Sequence, residues 1–364
     1  MLSLLSSVPK NKTVQQKIKY RAGQVATRLL GAVLPSKQSK LPKNYNFDAH
    51  VFHPQFASTH YGVMIPDLPE PYRYLSYASI LGDASTTITK TSPKLTSYKP
   101  SDIATLVHST ALSNSQDAYK IYSLEQQIEF QQSPFKVSFN EKSSLFEEGE
   151  HYRLVSDFED LKVDLTLTPT NAITWFAYSS FYQHFSVLMK YQGSIMQKGN
   201  TVEVQGLCTL EHWKSVAVST IPNSLLKQNL TLPLSSFSYQ VINLDDEQQL
   251  VFAFVGFAGQ PAYTAVSYRH IDGTSIQYDE AEFKVIALKT ESLITPDGYA
   301  MEVPQSFRWN VYHQGQKILD LVAVVDTPYC YGLGAGYVSS YQWSGTFKQE
   351  NIKGRGYLEY IDRR

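Results

Sequence analysis

Apolar and polar residues alternate with a period of two along most of the chain, the spacing of strands that bury one face. The clearest run is Leu161-Lys162-Val163-Asp164-Leu165-Thr166-Leu167-Thr168, apolar on one side and polar on the other. Thr168-Pro169-Thr170-Asn171 directly after it predicts a turn. The same pattern predicts strands over residues 103–112, 118–128, 135–139, 152–156, 161–168 and 186–195. A second set follows over 237–244, 249–257, 262–269, 282–288, 299–303, 307–311 and 317–325. Asp245-Asp246-Glu247 and Asp272-Gly273 supply turn chemistry, and Glu147, Glu148, Glu150 and His151 read as a solvated hairpin tip. Gly332, Gly334 and Gly336 form a loop ahead of a strand over 337–344; no helical pattern follows them, so they are not a nucleotide loop.

Two strands with internal glycines organise the rest. One runs from Asn200 through Gly206 to Trp213 and the other from Gly354 through Gly356 to the end of the chain. Alternation places Tyr357 and Glu359 on one face, with Leu358 and Tyr360 on the other. It also sends Glu211 and His212 to opposite faces. An aromatic, two-faced final strand is a poor open edge, and barrel closure removes the edge. The prediction is an all-β protein of two antiparallel barrels in tandem, over 46–220 and 221–364, with residues 221–233 as the crossing. The stretch from Thr59 to Tyr74 holds Pro66, Pro69 and Pro71, which predicts an extended aromatic loop or edge near a barrel mouth.

Residues 1–45 differ. Met1 to Phe47 contain nine Lys or Arg and no Asp or Glu in a chain of net charge −1, so the remainder is markedly acidic. Val14, Ile18, Ala22, Val25 and Leu29 share one helical face. Such a helix is too charged to span a bilayer. It packs outside the barrels or forms a tail, or it rests on an anionic membrane surface through residues 10–34; a mitochondrial presequence has the same composition. The opening Leu2-Ser3-Leu4-Leu5 is too short for a signal-peptide core. The expected location is therefore cytoplasmic, with peripheral membrane attachment as the variant.

Tyr (25) outnumbers Phe (18), which favours half-wet surfaces such as barrel walls and pocket linings. Cys208 and Cys330 are too few for a disulfide framework and are expected as free thiols. No metal-ligand spacing appears, and no cofactor motif. The net charge makes no case for nucleic acid.

The stretch Gly206-Leu207-Cys208-Thr209-Leu210-Glu211-His212-Trp213, paired with Gly354-Arg355-Gly356-Tyr357-Leu358-Glu359-Tyr360, resembles the carotenoid 1,2-hydratase and AttH-like family. Phe237-Ser238-Tyr239-Gln240-Val241-Ile242-Asn243-Leu244-Asp245-Asp246 is similar to the opening of that family's second barrel, and Tyr341-Gln342-Trp343-Ser344-Gly345 to its penultimate strand. The resemblance spans residues 56–364 and implies two lipocalin-like barrels of the calycin type. It also implies hydratases, cyclases and isomerases of apolar isoprenoid or polyketide-like substrates, beside members without known activity. Where such relatives carry Asp-His and then Trp-Gly, this chain carries Glu211-His212-Trp213-Lys214-Ser215.

Two readings stay open. An enzyme that hydrates, isomerises or cyclises a large apolar isoprenoid-, steroid- or lipid-like molecule needs a carboxylic acid held neutral, or an imidazolium, to protonate carbon. Glu211 and His212 are its candidates. Trp213, Tyr357, Glu359, His60 and Tyr61 are candidate ligand contacts, within an apolar cavity at the junction. A non-catalytic, membrane-associated carrier needs only the cavity. Each residue also has a plainer reading: His60 as a hydrogen-bonded loop histidine, His212 as a spacer between barrels, Glu359 as the partner of a surface Arg.

Overall fold

The computed structural model describes residues 47, 49, 58–82, 86, 88–178, 182–215, 234–257 and 260–364. The expected basic helix and the crossing over 221–233 lie outside the described residues.

The first sheet holds β1 (Ser58–Leu68), β2 (Arg73–Gly82), β3 (Ile103–Ser109), β4 (Tyr119–Ser123), β5 (Ile128–Gln131), β6 (Lys136–Phe139), β7 (Ser143–Glu148), β8 (His151–Asp157), β9 (Leu161–Tyr178), β10 (Tyr182–Gln197) and β11 (Asn200–Ser215). Its order is β4-β3-β2-β1-β11-β10-β9-β8-β7-β6-β5. The chain thus meanders antiparallel and curls back so that β11 zips onto β1, giving a nearly closed barrel.

The second half holds β12 (Leu234–Asn243), β13 (Gln248–Phe257), β14 (Gln260–His270), β15 (Ser275–Tyr278), β16 (Ala281–Leu288), β17 (Leu293–Ile294), β18 (Ala300–Met301), β19 (Pro304–His313), β20 (Gln316–Val325), β21 (Cys330–Gly332), β22 (Gly336–Phe347) and β23 (Glu350–Asp362). Here the order is β15-β14-β13-β12-β23-β22-β20-β19-β16, a half-barrel. The final strand β23 is interior to its sheet, between β12 and β22, as expected of a two-faced aromatic strand.

The closing hairpins of the two halves correspond in register at a constant offset of 150 residues. Gln197 pairs with Asn200 and Tyr191 with Gly206, while Phe347 pairs with Glu350 and Tyr341 with Gly356. In each, a tyrosine ring lies across the glycine. A Cβ on Gly206 would come within 3.3 Å of Tyr191, and one on Gly356 within 2.5 Å of Tyr341. The internal glycines of both closing strands are there to admit a ring.

Two local expectations are corrected. The Thr59–Tyr74 stretch is not a loop: β1 is central, paired with β11 on one side and β2 on the other. Its pairing with β11 ends at Met64, so Pro66 removes no ladder hydrogen bond on that side. The predicted turn at Thr168–Asn171 is instead a bulge inside the long β9. The Thr170 hydroxyl donates to the Leu188 carbonyl at 2.8 Å and substitutes for the interrupted ladder.

Most of the buried apolar residues gather in three places, with two smaller clusters around Trp213 and Leu188. Val63, Leu165, Phe185 and Leu210 lie inside the first barrel, and Ile242, Phe252, Trp309 and Leu358 inside the second. Met64, Tyr74, Phe176, Tyr239, Val251 and Tyr357 pack between the two sheets. Many tyrosines expected at half-wet surfaces are fully buried, among them Tyr61, Tyr74, Tyr77, Tyr239 and Tyr357. Both cysteines are free and buried, Cys208 inside the first barrel and Cys330 between the sheets. Burial raises both thiols, Cys330 to about 11. Neither should react with a thiol reagent in the folded protein, and both should react after unfolding without reductant. Labelling of either in the folded state would contradict this.

Candidate functional site between the sheets

Because side chains alternate, one face of β11 lines the first barrel and the other faces the junction. His212 points inward, where its ring packs against Phe47, Tyr61 and Phe185. Tyr61 also points inward and donates to the Phe47 carbonyl. Glu211, Trp213 and His60 are on the junction face, and Tyr357 and Glu359 approach from the second sheet. The residues singled out in the sequence are thus divided between two compartments.

Strand register assembles the first cluster. His60 of β1 and His184 of β10 both sit opposite Trp213, while Glu211 lies two residues earlier on the central strand. Both imidazole Nε2 atoms approach Glu211 Oε2, at 3.8 Å for His60 and 3.7 Å for His184. His60 Nδ1 donates to the Ser79 carbonyl at 2.7 Å; a carbonyl only accepts, so that nitrogen carries a proton. His184 Nδ1 is 3.0 Å from Tyr182 Oη, and the His60 ring stacks on Trp213. Gly62, opposite Glu211, keeps this space open: a Cβ there would lie 2.8 Å from His60 Nε2.

The second cluster comes from β23. Tyr357 Oη donates to Glu359 Oε1 at 2.8 Å and sits 2.8 Å from Ser76 Oγ of β2. Since the tyrosine proton is committed to Glu359, Ser76 donates to Tyr357. This hydrogen bond crosses from one sheet to the other. Two more do the same: Arg269 Nη1 donates to Ser186 Oγ at 2.8 Å and Asn243 Nδ2 to the Leu207 carbonyl at 3.0 Å.

The two carboxyl groups differ in state. Burial raises Glu211, but the His184 and His60 rings beside it outweigh that and hold the carboxyl down to about 2. Burial pushes Glu359 well above the usual carboxylate range, the Glu211 charge pushes it further, and the Tyr357 hydroxyl only partly opposes them. One carboxyl is therefore an anion and the other a neutral acid, its proton on Oε2 because Oε1 accepts from Tyr357. Burial lowers His184, and the neighbouring Glu211 carboxylate opposes that shift.

Neither carboxyl is required by barrel closure. At the offset of 150, Glu359 corresponds to Thr209 and Glu211 to Ile361. Each acid is peculiar to its own half.

His184, Ser186, Tyr239, Arg269 and Ser76 belong to this junction and were not candidates from sequence. The usable signal was a polar residue sharing a strand face with small or apolar ones, as Arg269 does with Ala265 and Ser267. At the junction, where an apolar cavity was expected, buried polar side chains meet the aromatic rings of Tyr74, Phe176, Tyr239 and Tyr357. A cleft of about 660 Å³ lies elsewhere, on the solvent-facing side of the first sheet, and it is polar, lined by Arg153, Asp164, Gln192 and Glu203 among others. Among the described residues no group of His, Cys, Asp and Glu is arranged to hold a metal ion, and no helix is long and apolar enough to cross a membrane.

Comparison with solved structures fits an AttH-like two-barrel fold. A protein of Nitrosomonas europaea provisionally assigned as AttH matches with a TM-score of 0.62 at 17% identity, over 91% of this chain and 98% of its own. Kievitone hydratase from Nectria haematococca matches with a TM-score of 0.53 at 9% identity, over 89% of this chain and 97% of its own. A search of curated proteins found no match. The model of a family of unknown function, DUF6670, matches residues 78–364, and the chain belongs to that family.

Proposed function

We propose that the junction binds a large apolar molecule of the isoprenoid, steroid or lipid class and moves protons to and from it, in a hydration, isomerisation or cyclisation. The observation that carries this reading is the pair of buried carboxyls within each other's field, one flanked by two imidazoles and the other accepting from a tyrosine hydroxyl. Environments that push two titrating groups apart in this way separate the roles of acid and base. Glu359 gives its carboxyl proton to an alkene carbon, whose π electrons form the new C–H bond. The adjacent carbon becomes a cation, faced by the aromatic rings of the junction. In a hydration, water adds its oxygen to that carbon and loses a proton to the Glu211 carboxylate, which His60 and His184 hold in place. The proton returns to Glu359 before the next turnover. The His184 side chain keeps 12% exposure against 4% for Glu211. That a hydratase shares the fold supports the reading.

A second reading is a non-catalytic carrier attached to an anionic membrane through the basic residues 10–34; a non-catalytic role for the junction is favoured by a different observation. Tyr357–Ser76 and Arg269–Ser186 join the sheets, so the same side chains also serve as adhesive.

The test uses small molecules that co-purify with the protein, identified by mass spectrometry and returned to it in D₂O. Deuterium should enter a carbon position with wild-type protein, and at a rate lower by about 10²–10⁴ with Glu359→Gln while the ligand stays bound. A ligand that is retained without any exchange would decide for the carrier.

A further inference from the structure

The acid–base reading leaves one group unused. Arg269, near the end of β14, has no exposed surface, and its side chain reaches across the junction to the first sheet. Its Nη1 donates to the Ser186 hydroxyl and its Nη2 to Gln249 Oε1, while Nε meets no acceptor. None of these contacts is an anion. Burial lowers the guanidinium, and Glu211 opposes that shift through its field without touching the arginine. A buried charge with no counter-ion in contact is costly.

A purely adhesive junction would close Arg269 onto Glu211, as Arg308 closes on Asp320 and Arg355 on Asp326 in the same half of the chain. Instead both stay open. Tyr239 lies in the field of Glu211, and neither Tyr239 Oη nor Glu211 Oε1 has a partner within hydrogen-bond geometry. Three buried polar atoms, Arg269 Nε, Tyr239 Oη and Glu211 Oε1, therefore converge between the sheets without partners.

We propose that Arg269 and Tyr239 form an oxyanion site that holds the charged oxygen of the ligand, a carboxylate or enolate at one end of an apolar body. A planar guanidinium with a free donor suits an oxygen anion, and the tyrosine supplies a second donor. The acid Glu359 and the carboxylate Glu211 then act on carbon farther along the same molecule. This site rests on the junction being where the ligand binds.

The probes are naphthoate and its neutral counterpart naphthamide, titrated into the full chain and followed by tryptophan fluorescence and calorimetry. Wild-type protein should bind naphthoate at least about tenfold more tightly than naphthamide. Arg269→Gln should bind the two alike, and Glu359→Gln should keep the preference. Equal affinities in wild type, no binding of either probe, or a preference that survives Arg269→Gln would each overturn the site. Should circular dichroism show Arg269→Gln unfolded, Tyr239→Phe and Arg269→Lys carry the test, and the preference must fall in both. A naphthoate preference without deuterium exchange removes the acid–base reading alone, and exchange without the preference removes the oxyanion site alone.

Discussion

Glu211→Gln is expected to destabilise the protein by about 3–5 kcal/mol near neutral pH, the cost of removing one partner from a buried charged cluster. Glu359→Gln should change stability by less than about 1 kcal/mol or increase it. The two substitutions are chemically identical and differ only in the state of the group replaced. Glu211 is an anion faced by two imidazoles at 3.7 and 3.8 Å, with the Arg269 cation nearby. Its amide leaves the Arg269 cation without the negative charge that balances it. Glu359 is already neutral, and a glutamine oxygen can accept the Tyr357 hydroxyl as the carboxyl does.

The pH dependence has a definite sign. The Glu359 proton is retained in the folded state and released from the unfolded state above the ordinary value of 4.5. Its contribution to stability is therefore complete below that value and lost as pH rises. The advantage of Glu359→Gln should grow on going alkaline, and Glu211→Gln should show no such gain. Urea melts of both variants across this range make the measurement. Equal losses would mean that the two carboxyls share one state.

Acid should unfold the protein through His108 as well. Its ring on β3 is buried among Tyr77, Phe158 and Ser156 with Lys120 nearby. Burial first, and then the Lys120 charge, depress it from 6.5 to about 3. The folded-state value lies below the unfolded one, so the stability is complete above 6.5 and drains away as pH falls towards about 3. The slope is about 1.4 kcal/mol per pH unit while only the unfolded chain takes up the proton. His108→Phe keeps a ring in place and removes the titration, so its stability should fall less steeply than that of wild type over this window. Parallel curves would show that His108 titrates alike folded and unfolded.

Period-two alternation by itself determined that this is a β protein and which residues share a face. That is why the opposite orientations of Glu211 and His212, and the common face of Tyr357 and Glu359, were legible in advance. The hairpin turn at Asp245-Asp246-Glu247 and the likeness of the two glycine-bearing closing strands were equally local, since turn chemistry and ring-over-glycine packing act over neighbouring strands. Local rules failed where the decisive partner was distant. Pro66 and Pro169 look like strand breakers until the register shows one beyond the β11 ladder and the other beside a bulge. Alternation also cannot say which of two faces is a barrel interior and which meets another sheet. Only the zipping of β1 onto β11 brings His60 to Glu211, and only the docking of the second sheet brings Glu359, Tyr239 and Arg269 to the same junction. Those contacts join residues far apart in the chain, and the separation of the two carboxyls into acid and anion follows from that assembled, water-poor environment.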